Sequence, residues 1–470
     1  MGVSKAIRLR VFRLISTWLL SSIMALGLAF GAASAQTLSD SDRAQLEAKK
    51  EALFQQMLRE PANLDVTFAY ADVSARLGDN EAAVSALERM LLFNPNLPRV
   101  DLELGALYFR MGSFEMARSY FDKAEANNPP PEVRTRIAQY EGQITTDLSP
   151  QQFSGYLFFG AQYQSDANVS PGSPLIQSPI GEVLLSSQFL KRHDNDIFAT
   201  GAMLYSYDLG TQDRDTFEVG ATGFADHYAH LNQFDLDLAE INAGPRFRFP
   251  DPAVPVVQSA TVRPYLIANE VGLGEAQYFY TYGAGLEGTA AMPWDINLKG
   301  IFEFRQKEFS NDAFRPLSTG LTGSDKLVTL LVSKLVTPAS ALGVELDYLN
   351  QDTRFAYYAN NTFSVSASYK IRYPDPTGIL HQPLETALFG SRSWGYYEAP
   401  DPCCSTSSDL LSPGFSNRYD RHWRIGLSET FPVNDTVAIV AQLQRDVVSS
   451  NLPIYAYTSN SGLVGVQIRF

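Results

Sequence analysis

Four carboxylates and two imidazoles in the middle of the chain are the residues whose types and spacing suggest chemistry. His227 and His230 suggest a metal site, and Asp235 and Asp237, with Asp215 and Glu218 upstream, suggest acid–base work. A spacing of three along a strand sends the two imidazoles to opposite faces, which argues against a shared ion. Asp235 and Asp237 do share a face, but with no placed nucleophile and base they read as wet groups of a polar interior. Cys403 and Cys404 are adjacent. Consecutive Cα atoms lie about 3.8 Å apart, below the usual disulfide span, so the pair reads as reduced neighbours or a strained local bridge in an exposed loop. No glycine-rich phosphate loop occurs in the sequence. The chain is expected to be no enzyme, with no metal and no cofactor.

The elements that carry these residues are strands. The last segment, Gly462 to Phe470, alternates Val464, Val466, Ile468 and Phe470 with Leu463, Gly465, Gln467 and Arg469, and alternation puts one set on each face. Similar segments recur near 153–164, 194–208, 215–229, 234–249, 262–273, 277–291, 294–309, 325–337, 340–351, 361–373, 383–397, 419–431, 436–448 and 460–470. In the seventh, Trp294, Ile296, Leu298, Phe302 and Phe304 oppose Asp295, Asn297, Lys299, Glu303 and Arg305. In the tenth, Phe363, Val365, Ala367, Tyr369 and Ile371 oppose Ser364, Ser366, Ser368, Lys370 and Arg372. The eighth, from Lys326 to Leu335, is apolar almost throughout. A soluble sandwich would alternate too, so connection lengths decide. Every second connection is short, as at Met292 to Trp294, Thr337 to Ser340 and Phe431 to Asp435, whereas Ser165 to Asp194, Ser310 to Asp325, Gln351 to Asn360 and Pro400 to Arg418 are long. Short turns at one end and long loops at the other are the asymmetry of an outer-membrane barrel.

Ahead of the strands the period is helical, and it repeats. Gly78 and Gly112, Ala83 and Ala117, Leu87 and Phe121, and Pro95 and Pro129 are each 34 residues apart, the tetratricopeptide period. Flanking helices from about Asp40 to Arg59 and from Pro131 to Ile144 are expected to cap the stack, since such units need neighbours to bury their faces. A concave groove lined by the first helix of each repeat would show Asp65, Phe68 and Asp72 from one repeat, and Arg99, Leu102, Ala106 and Phe109 from the next. The same apolar residues would equally serve as core between repeats.

Residues 1–35 carry Lys5, Arg8, Arg10 and Arg13, an apolar run from Trp18 to Phe30, and Ala33-Ser34-Ala35, which together read as a cleaved secretory signal. Its removal takes four positive charges and no acids, shifting the formal charge from −14 to −18. That balance argues against nucleic acid or anionic lipid as a partner. The expected fold class is α + β multidomain: a small all-α repeat domain over 36–146, a linker at 147–152, and an antiparallel transmembrane β-barrel of about fourteen strands over 153–470.

Signal, repeat stack and terminal barrel together resemble the surface lipoprotein assembly modulators, or Slam proteins. The local segments are similar as well: Ser165-Asp166-Ala167-Asn168-Val169 after the first strand, Arg418-Tyr419-Asp420-Arg421 opening the twelfth, and Ser450 to Tyr457 before the last. The resemblance implies an outer-membrane translocator with its helical domain in the periplasm, whose partners are a client surface lipoprotein or secreted protein, outer-membrane lipid and the barrel-assembly machinery. It implies for Phe470 the role of barrel-assembly signal. The alternative is an exopolysaccharide secretion porin, a class that also joins such repeats to a barrel but with longer arrays.

Overall fold

The computed structural model describes residues 40–470, save 61–62, 128, 148, 179–180, 186–189, 251, 253, 255, 381 and 402–415. The signal segment and Cys403 and Cys404 lie outside the described residues. The described chain divides into two compact units that meet in sequence at Gln152 and Phe153.

The first unit is six helices, α1 (Asp40–Arg59), α2 (Leu64–Arg76), α3 (Asn80–Phe93), α4 (Pro98–Arg110), α5 (Phe114–Ala126) and α6 (Pro131–Asp147). Gly78 and Gly112 end α2 and α4 at φ of +83° and +73°, a conformation that costs glycine nothing. At the first turn, the N–H of Asp79 donates to Ser74 O at 3.0 Å; at the second, that of Ser113 donates to Tyr108 O at 2.9 Å. The same closing motif thus recurs 34 residues later. Asp79 then caps α3, its Oδ1 accepting from Ala82 N at 3.1 Å, and Asn63 caps α2. Ala83, Leu87, Leu104 and Leu107 form one core cluster, and Ala117, Phe121, Ile137 and Ile144 another. Helix α4 comes close to α5 because position 105 is glycine: a Cβ there would lie 2.5 Å from the Phe121 ring.

The second unit is a closed antiparallel barrel of fourteen strands. They are β1 (Gln151–Gln164), then β4 (Asp194–Asp208), β5 (Thr216–Tyr228), β6 (Leu236–Phe249), β7 (Ser259–Leu273), β8 (Ala276–Met292), β9 (Ile296–Phe309), β10 (Gly323–Thr337), β11 (Ser340–Thr353), β12 (Asn360–Tyr373), β13 (Leu384–Pro400), β14 (Asn417–Pro432), β15 (Val437–Ser450) and β16 (Tyr457–Arg469). A small hairpin, β2 (Leu175–Ser178) with β3 (Gly181–Leu184), lies within the first long connection and outside the barrel sheet. Strand β1 closes the circuit on β16, from Tyr156 opposite Arg469 to Gln164 opposite Ser461. One rim carries both barrel termini and the shortest turns, with longer connections at 250–258 and 374–383, and the other carries the longest connections together with the tight β7–β8 turn at Gly274 and Glu275 and the short links at 229–235, 354–359 and 451–456.

The outer face is apolar and the inner face is largely polar, as the alternation requires. On β9, Phe302 and Phe304 are 50% and 43% exposed while Glu303 is buried. On β12, Tyr369 and Ile371 point out and Lys370 is buried on the lumen side. The apolar β10 keeps the register, sending Val328 and Leu330 outward and Leu327, Leu331 and Leu335 to the less exposed lumen face. None of the described helices is long and apolar enough to cross a membrane.

Candidate functional site

The face formed by α2 and α4 gathers part of the expected groove. Asp65, Asp72 and Arg99 are exposed, and the Arg99 guanidinium lies 4.5 Å from the centre of the half-buried Phe68 ring, tying the two repeats together by a cation–π contact. Leu102 departs from the expectation. It is 7% exposed and packs with Phe121 and Ile137, so it holds the stack together and offers no surface to a partner. Ala106 is buried too. Phe109 is half-buried against Phe114 and Tyr140, with ring centroids at 5.6 and 5.2 Å. Arg136 on α6 reaches over Tyr140 at 5.8 Å and extends the basic and aromatic character of this face, which the two-repeat reading stopped short of.

A polar cluster joins α3, α4 and α5. Glu88 Oε1 accepts from the hydroxyls of Tyr108 at 2.7 Å and Tyr120 at 3.2 Å, and the two rings stack. Burial and the Glu88 carboxylate push both phenols up to about 12. Burial likewise raises the Asp101 carboxyl, and a hydrogen bond from Lys50 lowers that of Asp79. These groups brace the helices.

Within the barrel, alternation delivers charge to the lumen on consecutive strands. Glu218 on β5 pairs with Arg246 on β6 at 2.7 Å and Arg263 on β7 at 3.1 Å. Arg246 also meets Glu287 on β8 at 2.8 Å, and Lys299 on β9 meets the same carboxylate at 2.8 Å. Farther along, Arg305 bridges Glu240 at 2.9 Å and Glu303 at 2.7 Å, with the Tyr265 hydroxyl donating to Glu303. On the far side, Asp446 on β15 receives Arg424 at 2.7 Å and His422 at 3.0 Å. Removing one member of such a buried pair costs about 3–5 kcal/mol, because the partner is left charged and unpaired. None of these ladder residues except Glu218 stood out as candidate chemistry in the sequence, although period-two placement of Arg and Glu on adjacent strands was a signal for them.

The three segments that carry the resemblance all lie at the rim of long connections, where the second and third touch. Asp166 Oδ1 accepts from Ser170 N at 3.0 Å, and Asn168 donates to Leu190 O at 2.7 Å while accepting from Arg192 N at 2.8 Å. Val169, at φ +49°, completes this folded-back loop. Ser165 N donates to Asn460 O at 2.9 Å, linking the loop to β16. Arg418 pairs with Asp420 at 2.7 Å and lies over the rings of Tyr455 at 3.2 Å and Tyr397 at 4.6 Å. The Tyr455 hydroxyl in turn donates to Asp401. Here the quoted residues fix loops against the barrel mouth.

Of the histidines and acids singled out on the central strands, Glu218 alone lies in the lumen ladder. His227 contacts Asp235, His230 contacts Asp194, and none of the described residues form a cluster suited to a metal ion. Asp235 lies in the β5–β6 connection, and Asp237 is on the outward face of β6 beside Gly272, so neither is a lumen group. Glu218 is, at the opposite end of its strand. Asp215 is an exposed acceptor for Arg248 N at 2.8 Å. Phe470 is 49% exposed, stacks on Phe153 at 5.3 Å, and exchanges backbone hydrogen bonds with Gly155.

No protein-family model matches the chain, and no curated protein sequence does. Among solved structures it is similar to OpdL of Pseudomonas aeruginosa, at 10% identity over 68% of this chain and 99% of that one, with a TM-score of 0.29. Its helical region is similar to the type III secretion chaperone SycD of Yersinia enterocolitica in complex with a peptide of the translocator YopD, at 14% identity over 28% of this chain and 97% of that one, with a TM-score of 0.21. It is also similar to the Sgt2 TPR domain of Aspergillus fumigatus, at 19% identity over 22% and 72%, with a TM-score of 0.21. At these scores the likenesses carry no argument about activity. The closed barrel and the 34-residue helical hairpins stand on their own geometry: this is a tetratricopeptide-like stack joined in one chain to a closed fourteen-stranded antiparallel barrel.

Proposed function

We propose that the protein is an outer-membrane translocator that assists delivery of lipoproteins or related secreted proteins to the cell surface, its periplasmic repeats recruiting the client and its barrel providing the passage. The observation that carries this reading is the pairing, in one chain, of a helical face bearing exposed Arg99 over Phe68 with a closed barrel whose lumen is lined by ion pairs. Arg and aromatic residues at a surface are what protein interfaces favour, and a polar lumen suits a polypeptide more than a lipid. Nothing in the sequence hydrolyses a nucleotide, so the driving force comes from the client as it folds or binds outside. Recruitment then acts by raising the client's local concentration. In this reading Asp65, Phe68, Asp72 and Arg99 contact the client, and the barrel-assembly machinery inserts the barrel through a signal that includes Phe470.

A chain that keeps the signal and residues Asp147 to Phe470 tests this. It is expected to insert as a heat-modifiable barrel yet to fail in displaying its client, scored by protease shaving and mass spectrometry of surface proteins. Equal display by the truncated chain, or a defect confined to polysaccharide release, would overturn the reading, the latter in favour of an exopolysaccharide secretion porin.

A further inference from the structure

Lumen arginines such as Arg246, Arg263, Arg305 and Arg424 each have a carboxylate within ion-pair distance. Three arginines on the outer, lipid-facing wall have none. Arg392 on β13, Arg421 on β14 and Arg445 on β15 share the face of Leu388, Ile425 and Leu443, and all three are exposed. Among the described residues no carboxylate lies within 4.0 Å of any of the three. A chain with a formal charge of −14 has acids to spare, so their absence here is a property of this wall.

Register defines the arrangement. Trp394 lies directly across from Arg421, and Arg392 directly across from Trp423, so arginine and tryptophan alternate on two adjoining rows. Diagonal neighbours on one face are about 7–8 Å apart, which puts the two guanidinium groups within reach of a single polyatomic anion. Arg445, across from Ile425, sits one row lower, and its long stem lets the charged head rise toward the same level. The pair Tyr396 and Tyr419 forms the row above, toward the rim of long connections. Arg421 is steered by its own strand: its Nε donates to the Tyr419 hydroxyl at 2.9 Å and its guanidinium lies 5.0 Å from that ring. Arg392 lies 5.6 Å from the Trp394 ring. Aromatic faces hold both cations without consuming their charge, as an acid would.

Unpaired charge on a lipid-facing wall is costly and marks a functional site. The bilayer supplies one abundant partner at the depth of an aromatic girdle, the phosphate of a lipid head group, and the planar fork of arginine matches phosphate geometry. We propose that Arg392, Arg421 and Arg445 form a binding site for a phosphate-bearing lipid, with Trp394 and Trp423 packing on its upper acyl chains. The site stands on the barrel alone and holds whichever client the protein serves.

Brominated lipids test it in the full-length protein, because Trp394 and Trp423 flank the site and report the lipid beside them. In phosphatidylcholine vesicles, with Trp18→Phe/Trp294→Phe as background so that Trp394 and Trp423 alone emit, brominated phosphatidylglycerol is expected to quench this emission as if enriched about tenfold over its bulk fraction. Brominated phosphatidylcholine should show no enrichment. The preference should fall with added salt and vanish in Arg392→Gln/Arg421→Gln/Arg445→Gln. Losing lipid-facing charge should ease insertion, and heat-modifiable migration checks that the variant is folded. Unlabelled competitors separate the sources. Relief of quenching by a bis-phosphorylated glycolipid at a lower phosphate concentration than by phosphatidylglycerol assigns the site to the glycolipid, and equal relief per phosphate assigns it to any lipid phosphate. Equal quenching by the two brominated lipids in the wild type, a salt-insensitive preference, or a preference kept by the triple variant would overturn the proposal.

Discussion

At the residue scale the deciding variable is parity along a strand, since one step exchanges lipid for lumen. Ala367 and Ser366 are neighbours on β12, yet Ala367 shares the outward face with Phe363, Tyr369 and Ile371, while Ser366 lies across from Glu345 in the lumen. Ala367→Arg is expected to destabilise the barrel by about 2–4 kcal/mol, the cost of arginine at a lipid-facing midplane site. Ser366→Arg gains a carboxylate neighbour and should fold normally. The fraction of heat-modifiable protein after refolding into vesicles checks this, and equal folding of the two variants would mean that the register is wrong. Parity also explains what sequence reading missed. In Ser391-Arg392-Ser393 both faces carry polar residues, so no alternation within them announces that Arg392 points into lipid; its pairing with Trp423 fixes that. Asp237 was misassigned to the interior for the same reason: its face is set by neighbours on β5 and β7, and its own type favours water.

At the scale of elements, period carried most of the fold. Each of the fourteen alternating segments is a barrel strand, with ends displaced by a few residues where pairing continues past the apolar run, as at Asn417–Pro432. The hairpin at Leu175–Ser178 and Gly181–Leu184 escaped notice because its strands are too short for alternation to register. In the helical unit the 34-residue spacing was legible from Gly78 and Gly112, whose left-handed turns require that residue type. Leu102 was less so: a first helix of a repeat has one face for the groove and one for the core, and a single leucine suits both. Gly105 shows how narrow the packing is. A side chain there would collide with Phe121, which itself stacks on Tyr140 at 5.1 Å. Gly105→Val is therefore expected to destabilise the stack by about 1–3 kcal/mol through overpacking. Thermal loss of helical circular dichroism in the full-length protein should come earlier, while the barrel's heat-modifiable migration stays unchanged. Unaltered helical melting would mean that α4 and α5 part easily.

At the scale of the whole molecule, the distribution of connections predicts an orientation. The shortest turns, the tight β7–β8 turn excepted, and both barrel termini share one rim, and the chain enters β1 from the helical unit at that rim. Short turns face the periplasm in outer-membrane barrels, so we expect labelling to find the helical unit in the periplasm and the folded-back loop at Asp166 to Ser170, with the Arg418 and Tyr455 cluster, at the cell surface. Single cysteines separate the two sides in cells, on a background in which Cys403 and Cys404 are replaced by serine. Gly172 is exposed in the first long connection and has nothing within 4 Å of an added Cβ, so Gly172→Cys should fold and react with a membrane-impermeant maleimide on intact cells. Asn434→Cys in a short turn and Asn80→Cys at the start of α3 should react only after the outer membrane is opened. Reaction of Asn80→Cys on intact cells would place the repeats outside, where they could not meet a client before translocation, and both the orientation and the recruitment step would have to be abandoned together.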